Sequence, residues 1–175
     1  TLADQVGAAT VALKPLHELI AHHVMAAQRL HADDTTVPIL AKGKTDTGRI
    51  WTYVRDDRPF GGADPPAALY YASRDRRHEH PDDHLKGWRG ILQADAYGGY
   101  NELYAAGRQP DPVLEAGCFA HARRKFFELA DVEGAARKKS RGERTGTVYP
   151  IALEAVHKLD ALFEIERSIN GLDPA

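Results

Sequence analysis

RLHADDTTV, residues 29–37, sets two adjacent carboxylates, Asp33 and Asp34, on a segment that reads as a buried strand. An amphipathic helical pattern precedes it and a turn-rich segment follows. A second short strand, GILQAD (residues 90–95), ends on another carboxylate, Asp95. Acids at the ends of two strands suggest a shared divalent metal. Neighbouring strand residues point to opposite faces, so only one of the first pair can join Asp95. Asp33 shares a face with His31, Thr35 and Val37, and Asp34 with Leu30, Ala32 and Thr36. Periodicity leaves the choice open.

Working outward, Val6, Ala9, Leu13, Leu16, Ile20 and Val24 recur at three- and four-residue spacing, which predicts one buried helical face. Pro15 predicts a kink or break in that helix. On the other side, Pro38 should end the first strand, and residues 42–48 (KGKTDTG) supply turn chemistry before RIWTYVR, residues 49–55. The Gly43-Lys44-Thr45 triplet is no phosphate loop, because Pro38 stands where that motif requires its first glycine. AALYYA (67–72) is a third strand, and Pro81 with Asp82 and Asp83 opens a helix. The strand at 90–95 and a short helix ending near Gly107 come next, followed by a fifth strand at 113–116. Helices are expected at 119–130, with Phe119, Ala122, Phe126 and Ala130 inward, and at 150–169, capped by Gly171. Between those two helices, residues 134–147 read as a basic link. Three strands joined by turns form an antiparallel meander, and strands reached through helical crossovers add in parallel. The expected class is therefore α/β: a mixed sheet with flanking helices, its first strand central and its fourth alongside.

Composition narrows the function classes. A 175-residue chain with 43% hydrophobic content and a formal charge of −2 can bury a core but carries no global basic field. Its single cysteine, Cys118, excludes an internal disulfide framework and suits a reducing cytoplasm. Cys118 itself is expected as a small buried residue. No apolar run approaches the roughly 20 residues of a membrane span. A chain beginning at Thr1 is expected to be a piece of a longer protein.

Several blocks, in order, resemble transposases of the insertion sequence 66 family: LHADDTTVPIL, KTDTGRIWTYVRDDRPFGG, HEHPDDHLKGWRGILQADAYGGYNELY, CFAHARRKFFEL and the INGL near the end. The resemblance implies a DDE transposase catalytic core with a ribonuclease-H-like fold. It implies Mg²⁺ (or Mn²⁺) as cofactor, DNA at transposon ends and targets as partner, and a homo-oligomer in the full-length protein. The first Asp of the family's D-[DE]-T motif maps to Asp33 and the Asp of LQADAYGGY to Asp95, as catalytic residues and metal ligands. Asp34 is then a supporting neighbour and the alternative acid. The family's third acid lies in an Asn-Asn-x-x-Glu-Arg-like motif that this sequence lacks, and it is expected beyond Ala175. Glu128 is the alternative within the chain. The implied organisation is an N-terminal helical segment at 1–28, a partial catalytic core at 29–133, and a basic link opening a helical insertion at 134–175.

Other readings compete. His78, His80 and His84, with His121, could form a zinc site. Arg123, Arg124 and Lys125, with the basic link, could bind DNA phosphates or simply form a solvated face. Trp51 and Trp88 are expected in the core. The functional alternatives are a ribonuclease-H-like nuclease without strand transfer, or a degenerate module that binds DNA or protein without catalysis.

Overall fold

Ala41 pairs with Lys44, so the chain reverses through Lys42 and Gly43 alone. Gly43 sits at φ 72°, the left-handed backbone that a two-residue hairpin demands and that glycine adopts without strain. The turn is thus far tighter than residues 42–48 suggested. The β-branched Thr45 and Thr47 join the ladder instead, and β1 (Arg29–Ala41) and β2 (Lys44–Arg55) become one long antiparallel pair. Pro38 does not end β1. It stands opposite Thr47, beyond the stretch of β1 that pairs on its other side, where a missing N–H costs no ladder bond.

The computed structural model describes residues 1–130, 134, 141 and 149–172. The chain divides into two compact units, residues 1–58 with 62–117, and residues 59–61 with 118–175. In the first unit, β3 (Ala67–Ser73) pairs antiparallel with β2, β4 (Ile91–Ala94) runs parallel to β1, and β5 (Leu114–Gly117) runs parallel to β4. The strand order is β3-β2-β1-β4-β5. This is the mixed sheet expected from the sequence, with the first strand central and the fourth beside it.

Period-two alternation builds the core on one face of this sheet. Leu30 and Ala32 from β1, Trp51 and Tyr53 from β2, Leu69 from β3, and Leu92 and Ala94 from β4 are all buried. Leu85, Trp88, Tyr100, Leu103 and Val113 complete the cluster. They come from the segment after α2 (Glu79–His84), a 3₁₀ turn at Gly98–Tyr100, α3 (Asn101–Tyr104) and the approach to β5. Both tryptophans lie in the core as expected.

The helix α1 (Leu2–Met25) starts from a capping box between Thr1 and Asp4 and runs through Pro15 without a break. The buried face predicted for its whole length is confined to its last turns. Val24 is fully buried and Ile20, Ala21 and Met25 pack on the core, but Val6, Leu13 and Leu16 remain exposed. Only the end of α1 reaches β2 and β3.

In the second unit, α4 (Phe119–Ala130) and α5 (Pro150–Ile169) pack on each other and have the predicted bounds. The inward face of α4 differs from expectation. Ala130 is buried as expected, but Phe119, Ala122 and Phe126 are exposed, and Arg123 and Phe127 are half-buried instead, the Arg123 guanidinium reaching Asp160 on α5 at 2.5 Å. Cys118 is only half-buried. Most of the basic link lies outside the described residues.

Candidate active site

The alternation that buries Leu30 and Ala32 carries on to Asp34. It therefore emerges on the core face, directly opposite Trp51, and its side chain is only 1% exposed. A carboxylate taken that far from water needs compensation. Arg49 supplies one hydrogen bond through Nη1 at 2.9 Å. Arg76 forks onto it, donating through Nε at 2.9 and 3.1 Å and through Nη2 at 2.7 Å. Such paired contacts are among the stronger charge-assisted bonds.

Asp33 lies opposite Thr52 on the other face and is exposed. Its Oδ1 accepts a hydrogen bond from the Asp34 backbone N–H at 2.8 Å. Parallel pairing matches His31 with Gln93. Two residues further along the chain from each stand Asp33, within β1, and Asp95, just past β4.

Asp95 follows the last residue of β4. Its Oδ2 accepts from Arg76 Nη2 at 3.2 Å, while its Oδ1 is buried without a hydrogen-bond partner. Arg76 therefore joins Asp34 to Asp95, and the contact runs through the neighbour of the residue that the resemblance marks. The guanidinium also lies over the Tyr97 ring, 3.7 Å from its centroid, and the Tyr97 hydroxyl donates to the Arg76 carbonyl. Burial opposes the Arg76 charge, but the hydrogen bonds and charge of Asp34, with Asp95, outweigh it and raise its pKa. Sequence reasoning missed Arg49, Arg76 and Tyr97. Arg49 stands first in RIWTYVR, and Arg76 is buried in a charged run with no periodic signal.

Below this cluster lies a layer of aromatic and histidine rings. His84 stacks on Tyr71 with centroids 4.2 Å apart, and its Nδ1 lies 3.1 Å from the Tyr53 hydroxyl. Burial, aided by nearby His80, pushes the His84 pKa down to about 4. His80 Nε2 meets Asp75 at 2.7 Å, and His78 Nδ1 meets Asp82 at 3.0 Å. His78, His80 and His84 thus each have a partner of their own, whereas His121, in the second unit, has a buried Nδ1 without a hydrogen-bond partner. No group of three or more histidine, cysteine or acidic side chains is gathered for a metal among the described residues.

The remaining candidates lie in the second unit. Arg123 pairs with Asp160, and Lys125 pairs with Glu128 at 3.5 Å on the exposed side of α4. Arg124 is exposed.

A mixed sheet with acids within β1 and just past the end of the adjacent parallel β4 defines an α/β protein whose candidate chemistry sits beside the end of β4. Comparison with known proteins narrows this class: the family model described as "Transposase IS66 family" matches residues 1–175. The chain belongs to that family. It is 62% identical over 172 residues to the uncharacterized protein y4hP of Sinorhizobium fredii (strain NBRC 101917 / NGR234), covering 98% of this chain and 31% of that protein. It is 34% identical over 179 residues to the uncharacterized protein y4qI of the same strain, covering 99% of this chain and 31% of that protein. The chain thus spans about a third of the length of these relatives. No helix among the described residues is long and apolar enough to cross a membrane.

Proposed function

We propose that this chain carries part of the catalytic core of a DNA transposase, in which a ribonuclease-H-like sheet presents Asp33 and Asp95 to Mg²⁺ or Mn²⁺. The proposed reaction is phosphodiester cleavage and strand transfer at transposon ends. Beside the family membership, one observation supports the reading: the parallel register pairs His31 with Gln93, and counting two residues on from each aligns Asp33 in β1 with Asp95 just past β4.

The donors suit the ion. Magnesium takes hard oxygens and usually only one or two carboxylates. Asp33 offers an exposed carboxylate, and Asp95 Oδ1 is an acceptor with no partner. Bound ions of this kind activate a water or 3′-hydroxyl and stabilise the leaving oxygen of an in-line displacement at phosphorus. The chain's own part is to hold the two carboxylates in place. The Arg49 and Arg76 contacts pin the middle of β1 through Asp34, and Tyr97, which follows β4, braces Arg76. A site centred on Asp34 would require two arginines to release a buried carboxylate, which favours Asp33 as the ligand.

The partners under this reading are transposon-end and target DNA, acted on by a homo-oligomer in the bacterial cytoplasm. Calorimetric titration with Mn²⁺ tests it: binding should occur and disappear in Asp33→Ala and in Asp95→Ala. Binding unchanged in both variants would refute the assignment. In the protein that carries this chain, strand-transfer assays on tagged DNA ends separate a transposase from a nuclease that cleaves without joining.

A further inference from the structure

We infer that Arg76 is an internal counter-ion that holds Asp95 before the metal arrives and yields it when the metal binds. The inference rests on the metal-dependent reading above and adds a residue that controls the site.

The two ends of the contact differ in strength. Arg76 makes three hydrogen bonds of 2.7–3.1 Å to Asp34 but only one, at 3.2 Å, to Asp95. Asp34 is nearly fully buried, whereas the Asp95 side chain is 25% exposed. Asp34 is thus the anchor and Asp95 the contact that can be exchanged. The guanidinium needs no new position for the exchange, since the Tyr97 ring and Asp34 continue to hold it.

Charge explains why exchange must accompany metal binding. Asp34 and Asp95 are balanced by Arg49 and Arg76, so of the two proposed ligands only Asp33 offers a negative charge that no arginine of this cluster offsets. A divalent ion on Asp95 meets repulsion from Arg76 at close range, in surroundings screened less well than bulk water. Arg76 therefore weakens metal affinity while keeping the empty site closed and ordered. It is a positioning residue that acts through Asp95.

Calorimetry with Mn²⁺ on the 175-residue chain, with Arg76→Gln and Arg76→Lys alongside, tests the inference. Arg76→Gln should bind on the order of tenfold more tightly than the natural chain, because a close positive charge has gone. Arg76→Lys keeps that charge and should stay near the natural affinity. A merely structural role would alter both variants alike, and that result would overturn the inference. Equal affinity in all three proteins, still dependent on Asp95, would also overturn it while leaving the metal-dependent reading intact. Binding in none of them, or binding indifferent to Asp95, would defeat that reading and the inference together. A second measurement needs no variant: the Arg76 Nη2–H resonance should shift on adding Mg²⁺ to the natural chain and stay fixed in Asp95→Asn. A resonance indifferent to Mg²⁺ under conditions where calorimetry detects binding would overturn the exchange.

Discussion

Asp33 and Asp34 are neighbours in sequence with opposite demands placed on them, and alanine substitution should separate the two. Asp34→Ala removes a carboxylate that is 1% exposed and leaves Arg49 and Arg76, at 26% and 32% exposure, without their shared partner. Breaking a fully buried ion pair costs about 3–5 kcal/mol. Here both guanidiniums can partly rehydrate, so a loss of about 2–3 kcal/mol is expected. For a domain of this size that corresponds to a fall in melting temperature of roughly 4–12 °C. Asp33→Ala removes an exposed carboxylate that accepts from the next backbone amide. A surface change of this kind should stay within about 0.5–1 kcal/mol. Thermal and urea denaturation in metal-free buffer, followed through the buried Trp51 and Trp88, measures both. Mn²⁺ calorimetry on the same samples should show the reverse order, with Asp33→Ala losing binding outright. Equal destabilisation by the two substitutions, or a larger loss from Asp33→Ala, would refute the division of labour between them.

Three further outcomes follow from the packing. His84 is held neutral, with a pKa of about 4 against an ordinary 6.5, so the unfolded chain takes up a proton that the folded one refuses. Stability should fall as pH drops from 6.5 towards 4, by about 1–2 kcal/mol once partial exposure is allowed for. His84→Phe, which keeps a ring against Tyr71, should flatten that slope, and an unchanged slope would remove His84 as its cause. The raised pKa of exposed His78, set first by its hydrogen bond to Asp82, acts with the opposite sign and only above 6.5, so the two windows do not overlap. Gly90→Ala should cost about 2 kcal/mol or more by denaturation, because φ is 150° there and an added Cβ would lie 2.4 Å from the Gln28 carbonyl oxygen. Arg123→Ala should leave the denaturation midpoint nearly unchanged, since its bond to Asp160 joins two partly solvated side chains; a marked fall would mean that this pair holds α4 to α5.

The sheet was legible because its signal is local and repeated. Alternating apolar residues in β1 and β2, and a short apolar run before Asp95, are enough to order the strands once the antiparallel and crossover connections are counted. The turn at Lys42-Gly43 was read too long because polar, β-branched threonines suit an exposed ladder as well as a loop. The extent of burial on α1 was not legible at all. Heptad-like spacing states which face is apolar, but only the reach of β2 and β3 decides how far that face is covered. The site divides in the same way. Its acids stand in or just after alternating strand patterns, where a pattern can find them, whereas Arg76 comes from an aperiodic run and meets Asp34 across 42 residues of chain. No period or motif in the run from Arg74 to His84 distinguishes Arg76 from its neighbour Arg77, which faces Asp75 instead. What separates them is the position of Asp34, buried by the same alternation that buries Leu30 and Ala32. A carboxylate carried onto the core face requires a cation from elsewhere in the chain, and that requirement could have been stated from RLHADDTTV even where the identity of the cation could not.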